Sequence, residues 1–200
     1  MFYETEGGEH GLARDPFKAL IAPRPIGWIS SVDGKGRANL APYSFFNAVS
    51  SNPPVVMFSS DGKKDSMTNI EETGCFVCNL AVYGLRDQMN KSSATVAHGV
   101  SEFELAELTP APSRLVAAPR VGEAPAALEC QYLKTIPVPT LDGGETGNFM
   151  ILGQVVGIHI DDSLIVDGRI DMIRLAQLSR LGYMDYSVVG QVFAMDRPEV

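Results

Sequence analysis

The chain has 200 residues, 45% apolar and 20% charged, proportions that suit a packed globular domain and exclude a disordered one. Its 24 acidic and 16 basic side chains give a formal net charge of -8, which argues against nucleic acid as a partner while leaving room for a local basic pocket. No stretch reaches the roughly 18 apolar residues of a spanning helix, and the opening MFYETEGGEHGLARD reads as neither a secretory signal nor a transit peptide, so a cytoplasmic protein away from membranes is expected.

In chain order, Asp15-Pro16 has the form of a helix start, with Asp15 as N-cap and proline at the first helical position. Arg24 to Ser31 reads as a strand, Asp33-Gly34-Lys35-Gly36 as a turn, and Ala38 to Val49 as the returning strand. Pro42 within that run points to an edge or a bulge, because proline has no N–H for the ladder. Pro54 to Ser60 has a buried-strand pattern, Lys63 to Thr73 a short-helix pattern closed by Gly74, and Cys75 to Ala81 is again a strand. Tyr83 to Thr95 reads as a helix with a polar end, and Ser101 to Leu108 as another short one. The segment Pro110 to Pro125 carries four prolines and reads as an ordered surface excursion. Ala127 to Ile136 and Phe149 to Ile160 are long strands, followed by a short helix around Ile173 to Leu178 and a last strand around Val188 to Met195. Six or seven strands with short helices between them predict a mainly β barrel with helical caps, not βαβ winding.

The familiar catalytic signatures are missing. There is no glycine-rich dinucleotide fingerprint, no phosphate loop and no nucleophile elbow. His10, His98 and His159 stand far apart, without metal spacing. Cys75 and Cys78 form a nominal CxxC, but positions three apart in a strand face opposite sides, so two buried core thiols are expected. An odd, sparse count of three cysteines also argues against a disulfide framework. Ser60 to Lys63 matches SxxK, a pattern too short to carry weight. Neither a metal site nor a covalent hydrolase is expected.

One cluster stands out. Ser59 and Ser60 end a buried strand, Lys63 and Lys64 follow, and Asp65-Ser66 begin a helix running through Met67, Asn69 and Ile70. A helix N-terminus offers free N–H groups and partial positive charge, so lysines and hydroxyls beside it make a phosphate cradle. An ordinary capped helix with solvated lysines explains the same residues, and on their own they leave that plainer reading in front.

Several segments taken together change that balance. Pro23-Arg24-Pro25-Ile26-Gly27-Trp28-Ile29-Ser30 is followed by Asn39-Leu40-Ala41-Pro42-Tyr43-Ser44, then Asn52-Pro53-Pro54-Val55. Lys64-Asp65-Ser66 with Asn69-Ile70 comes next, then Phe76-Val77-Cys78-Asn79-Leu80. Gly153 to Asp161 and Gly182 to Tyr186 complete a series that, over roughly residues 14 to 190, resembles the flavin reductase-like, FMN-binding split-barrel family of flavoredoxins and reductase components of two-component monooxygenases.

The resemblance implies one domain over residues 1–200, a homodimer of six-stranded Greek-key split barrels, and FMN in a groove near the dimer interface. It implies that main-chain groups of Asn39, Ala41, Pro42, Tyr43 and Ser44 hold the flavin ring, and that Ser59, Ser60, Lys64, Asp65 and Ser66 hold the phosphate. Relatives often carry threonine where this chain has Ser66, and serine keeps the hydroxyl. The residues suit those roles: Pro42 breaks the ladder beside a ligand, Asn39 and Ser44 can bond a polar flavin edge, and Lys64 offers a charge-assisted bond. Asp65 suits helix capping better than phosphate contact. Trp28 reads equally as a ring stacked on flavin or as core. Arg24 reads as a phosphate or groove residue or as an ordinary surface arginine. His159 reads as a structural histidine with a nicotinamide contact as the lesser alternative.

The implied activity is NADH- or NADPH-dependent flavin reduction, with electrons passed to oxygen, free flavin or a partner such as a monooxygenase. Hydride transfer needs close stacking and no acid–base residue, which fits the missing catalytic signatures. The alternative is a non-catalytic FMN electron carrier, flavoredoxin-like, reduced by another enzyme.

Overall fold

The computed structural model describes residues 1–97 and 99–198, so His98 lies outside the described residues. Apolar runs punctuated by turns form one large sheet of seven strands. In chain order these are β1 (Gly27–Val32), β2 (Ala38–Tyr43), β3 (Phe46–Ser51), β4 (Pro54–Asp61), β5 (Cys75–Leu80), β6 (Ala126–Pro139) and β7 (Glu145–Ile160). They hydrogen-bond in the order β2-β1-β5-β6-β7-β4-β3, with every neighbouring pair antiparallel. The two edge strands, β2 and β3, are joined only by Ser44-Phe45. A sheet whose opposite edges are that close along the chain has to roll up. The Ser59 N–H donates to the Phe45 carbonyl across 2.8 Å, one rung beyond Phe46–Phe58, which carries the β3–β4 ladder up to the break between the two edges. Gly27 is required there, since a Cβ would stand 2.6 Å from the Phe46 ring. The result is a mainly β split barrel.

Both faces of β1 are buried, and successive side chains serve different cores. Ile29 points into the barrel with Phe58, Phe76, Cys78, Cys130 and Ile151. Trp28 points outward into a second core with Leu40, Met89, Phe103 and Val121. Helix α1 (Phe17–Leu20) precedes the sheet, and helix α2 (Asp65–Thr73) closes one end of the barrel with Met67 and Ile70. The second core is covered by α3 (Arg86–Lys91), α4 (Glu102–Leu105) and the proline-rich excursion, whose ends Pro110–Ala111 and Arg120–Val121 pair as a short hairpin. A small sheet of Arg24–Pro25, Leu178–Arg180 and Tyr186–Val188 lies at the entry to β1.

Several expectations change. Ala38 to Val49 is two strands, split at Ser44-Phe45, so the sheet has seven strands, within the six or seven read along the chain and one more than the resemblance implies. Pro42 does lie on an edge strand, paired with Trp28 on its one bonded side. Arg24 to Ser31 also divides, its first two residues joining the small sheet. The helix expected over Tyr83 to Thr95 is a 3-10 turn, Tyr83–Leu85, followed by α3; the Ser92 and Ser93 hydroxyls turn back onto the Met89 and Asn90 carbonyls and end it. The late helix is Met172–Leu175, stopped by Ala176 in the left-handed region at φ 47. The expected strand from Val188 to Met195 is instead Tyr186–Val188, since its three-residue partner Leu178–Arg180 offers no further ladder. Cys75 and Cys78 are buried, free and in different clusters, as their spacing implies.

Candidate cofactor site

Helix α2 starts at the rim of the barrel. Lys64 occupies its N-cap position in an extended conformation (φ -106, ψ 172) with no side-chain cap hydrogen bond, and Gly74 ends it at φ 73. Asp65 therefore sits in the first turn and is not the cap that was expected. An N-terminus without a side-chain cap keeps donors for a ligand. Lys64 itself is exposed.

The first turn is anchored from the edge strand. The buried Asn39 amide donates to Ser66 Oγ at 2.9 Å and to Ser31 Oγ at 3.4 Å, and the Asn69 amide donates to Ser31 Oγ at 3.2 Å. Burial holds the Tyr43 phenol above the ordinary tyrosine range, against the pull of hydrogen bonds with Ser66 and Ser60, so the phenol keeps its proton. On the outer edge of β2 the Leu40 N–H donates to Glu102 Oε2 at 3.1 Å, and Pro42, two residues on, has no N–H. In an antiparallel ladder those two residues point their main chain the same way. The free edge is thus rich in carbonyl acceptors. Glu102 is nearly buried, and burial followed by the Asp65 charge raises its carboxyl above the usual carboxylate range.

These groups line a cavity of 310 Å³ walled by Asn39, Ala41, Pro42, Tyr43, Lys64, Asp65, Ser66, Glu102 and the segment Ser92 to Val96. A second cavity of 720 Å³ continues from it through the shared residues Pro42, Tyr43, Lys64 and Ser93, and is lined also by Lys18, Arg24, Ser44, Ser59, Asp61, Asn148 and Arg180. Together they form a groove of ordinary ligand-site size. Arg24 is 7% exposed; it donates to the Lys18 and Leu181 carbonyls, and its Nε is the only fully buried side-chain nitrogen or oxygen among the described residues without a hydrogen-bond partner.

The groove therefore collects Arg24, Asn39, Ala41, Pro42, Tyr43, Ser44, Ser59, Lys64, Asp65 and Ser66. Three candidates fall outside it. Trp28 is fully buried and donates its indole N–H to Ser92 Oγ at 2.9 Å, so the ring is core and has no face for a flavin. Ser60 is also fully buried, its hydroxyl donating to the Gly62 carbonyl at 2.9 Å; strand alternation turns it away from the side that Ser59 presents. His159 lines a separate cavity, where its Nε2 lies 2.5 Å from Oε1 of the fully buried Glu129. Sequence reasoning missed Glu102, Ser92, Ser93 and Arg180. The polar end given to the expected Tyr83 to Thr95 helix was the only local signal for any of them.

Among the described residues no cluster of metal-ligating side chains is present, and no helix is long and apolar enough to cross a membrane. The sequence model of the flavin reductase like domain matches residues 20–173. An uncharacterized protein of Halalkalibacterium halodurans is 34% identical over 185 residues, covering 90% of this chain and 88% of that one. The crystal structure of nitrilotriacetate monooxygenase component B from Bacillus cereus superposes with a TM-score of 0.86 at 33% identity, over 98% of both chains. That of the 2-nitrobenzoate 2-nitroreductase of Pseudomonas fluorescens gives 0.86 at 26% identity, over 99% of this chain and 96% of that one. Fold, groove and sequence agree: the chain belongs to the flavin reductase like domain family.

Proposed function

We propose that the protein binds FMN in this groove and acts as an NADH- or NADPH-dependent flavin oxidoreductase. The observation that carries the reading is the convergence of three features on one groove. These are the helix start without a side-chain cap beside Lys64, the buried Asn39–Ser66 bond that fixes it, and the proline-interrupted edge of β2. The residues present fit FMN. Lys64, Ser59 and the first turn of α2 suit its phosphate, while the Leu40–Ser44 main chain suits the donors and acceptors of the ring edge. Bound flavin would supply the redox chemistry, receiving two electrons as hydride from a nicotinamide and releasing them to oxygen, free flavin or a partner protein such as a monooxygenase component.

The chain's own contribution is positional. Asn39 and Ser66 hold the helix against the edge strand, the protonated Tyr43 phenol supports the same junction, and Glu102 ties down Leu40 so that the edge keeps its shape. No side chain has to donate or remove a proton for hydride transfer. The family resemblance further implies a homodimer, which light scattering on the FMN-loaded protein tests. The functional reading is tested by adding FMN to purified protein, desalting, and mixing with NADH or NADPH under anaerobic conditions. Retained flavin that is bleached by one of the two supports it. Retained flavin inert to both would favour the electron-carrier alternative.

A further inference from the structure

Arg24 and Arg180 face each other across the small sheet, paired in antiparallel register. Like charges placed directly opposite in a sheet repel, and neither arginine has a carboxylate partner among the described residues. Each is held by neutral oxygens instead. Arg24 donates to the Lys18 carbonyl of α1 and, across 2.8 Å, to the Leu181 carbonyl, while its Nε has no partner. Arg180 donates to the Tyr186 hydroxyl and, across 2.6 Å, to the Tyr183 carbonyl. Burial, and then the like charge of Arg180, pull Arg24 below the ordinary arginine range. A buried charge held only by neutral groups is costly, and a nearby anion relieves it.

Both arginines line the wide cavity of 720 Å³ together with Lys18 and Lys64, against Asp61 as its one acidic residue among the described residues. In a chain of net charge -8, that wall is reversed in sign. The groups proposed for FMN leave the two arginines unmatched. The phosphate goes to Lys64 and the start of α2, and neither Arg24 nor Arg180 lines the 310 Å³ cavity at that helix. The ring edge goes to Leu40–Ser44, so the ring extends toward the space that Ser44, Arg24 and Arg180 share. An oxidised flavin ring is neutral. Hydride brings it two electrons and one proton, which leaves one negative charge on the ring; a neutral reduced ring needs a second proton, taken from water.

We propose that the Arg24–Arg180 pair holds reduced FMN as its anion and thereby raises the reduction potential of the bound ring. The inference rests on FMN occupying the groove as proposed above. It gives the opposed arginines a reason: charge fixed in advance stabilises a charge that arises only on reduction. Arg24 is almost fully buried and acts through its field, as a positioning residue, whereas Arg180 is more open to the cavity. Inside a partly dry groove such a field is screened less than it is in water.

The test is a spectroelectrochemical titration of FMN-loaded protein at several pH values around neutrality, with the affinity for oxidised FMN measured separately. In wild type the potential should follow pH as two electrons and one proton require. No histidine is among the described residues that line the wide cavity, and Glu102 of the adjoining one is common to wild type and variants. Arg180→Gln is expected to weaken reduced FMN about tenfold, the scale of one charge-assisted interaction, which lowers the potential by about 30 mV for a two-electron couple. Oxidised FMN should bind as before, and the pH dependence should steepen toward two protons. Arg180→Lys keeps the charge and should restore most of the potential, a rescue that a merely structural role would not give. A wild-type dependence of two protons, a potential unmoved by Arg180→Gln, or an equal loss of oxidised and reduced FMN each overturns the inference; the last would place the phosphate at the arginines. If Arg180→Gln does not fold, the wild-type pH dependence still decides. Protein that retains no FMN removes the proposed function and this inference together. Bound flavin inert to NADH and NADPH removes the donor alone, since an electrode still reads the potential.

Discussion

Asn39 on strand β2 donates its side-chain amide to Ser66 Oγ on helix α2 across 2.9 Å, joining the edge of the sheet to the start of the helix. Both residues are almost fully buried, so the bond is sheltered from water. Asn39→Ala would leave the Ser66 and Ser31 hydroxyls without that donor. A loss of about 1–3 kcal/mol in stability is expected, the usual cost of an unsatisfied buried polar group. Urea unfolding measures it, and FMN affinity should fall alongside because the helix start loses its anchor.

Lys64→Ala should behave differently. The side chain is exposed, so its removal should change stability by less than about 0.5 kcal/mol. FMN affinity should drop by about tenfold, the scale of one charge-assisted bond to phosphate. Fluorescence titration at two salt concentrations separates the outcomes, since the wild type should lose more affinity to salt than the variant does. Equal losses of stability and affinity would make Lys64 a structural residue instead.

For Trp28 the order reverses. Trp28→Phe removes the indole donor to Ser92 and part of a filled volume in the outer core. A destabilisation of about 1–3 kcal/mol is expected with flavin still retained. Stability preserved with flavin lost would put the ring in the site after all.

Glu129 supplies a pH dependence. Burial raises its carboxyl, but the N–H groups of Arg114 and Leu115 and the His159 ring outweigh that and hold it below the ordinary carboxylate range. A depressed folded value means stabilisation that is present above the unfolded value and lost as pH falls through the folded one. Glu129→Gln should therefore be less stable than wild type near neutral pH, and the two should converge as the pH falls through the lowered Glu129 value. Denaturation midpoints measured across that range check the sign; a gap that widens in acid would contradict it.

What the sequence makes legible follows from where each signal resides. Helix α2 is readable because both of its ends are local: the polar start at Lys63 to Ser66 and the left-handed Gly74. The edge position of Pro42 is readable because proline lacks a donor. The break at Ser44-Phe45 is not, since no turn residue marks it and the rolling of the sheet imposes it. Trp28 was ambiguous because β1 is buried on both faces, which removes the alternation that would tell core from groove. Ser59 and Ser60 carry identical side chains, and only the register of β4 against β7 distinguishes them. Glu102 and Arg180 reach the groove from elements far along the chain, so their roles are tertiary facts with no local trace.

The central claim is that this groove holds FMN through the start of α2. Its most direct measurement is an equilibrium titration of flavin-free protein with FMN, following flavin fluorescence in wild type and Lys64→Ala. Saturable one-to-one binding that weakens in the variant, with the thermal midpoint kept, is the expected result. No binding by folded wild type, or binding indifferent to Lys64, would contradict the account.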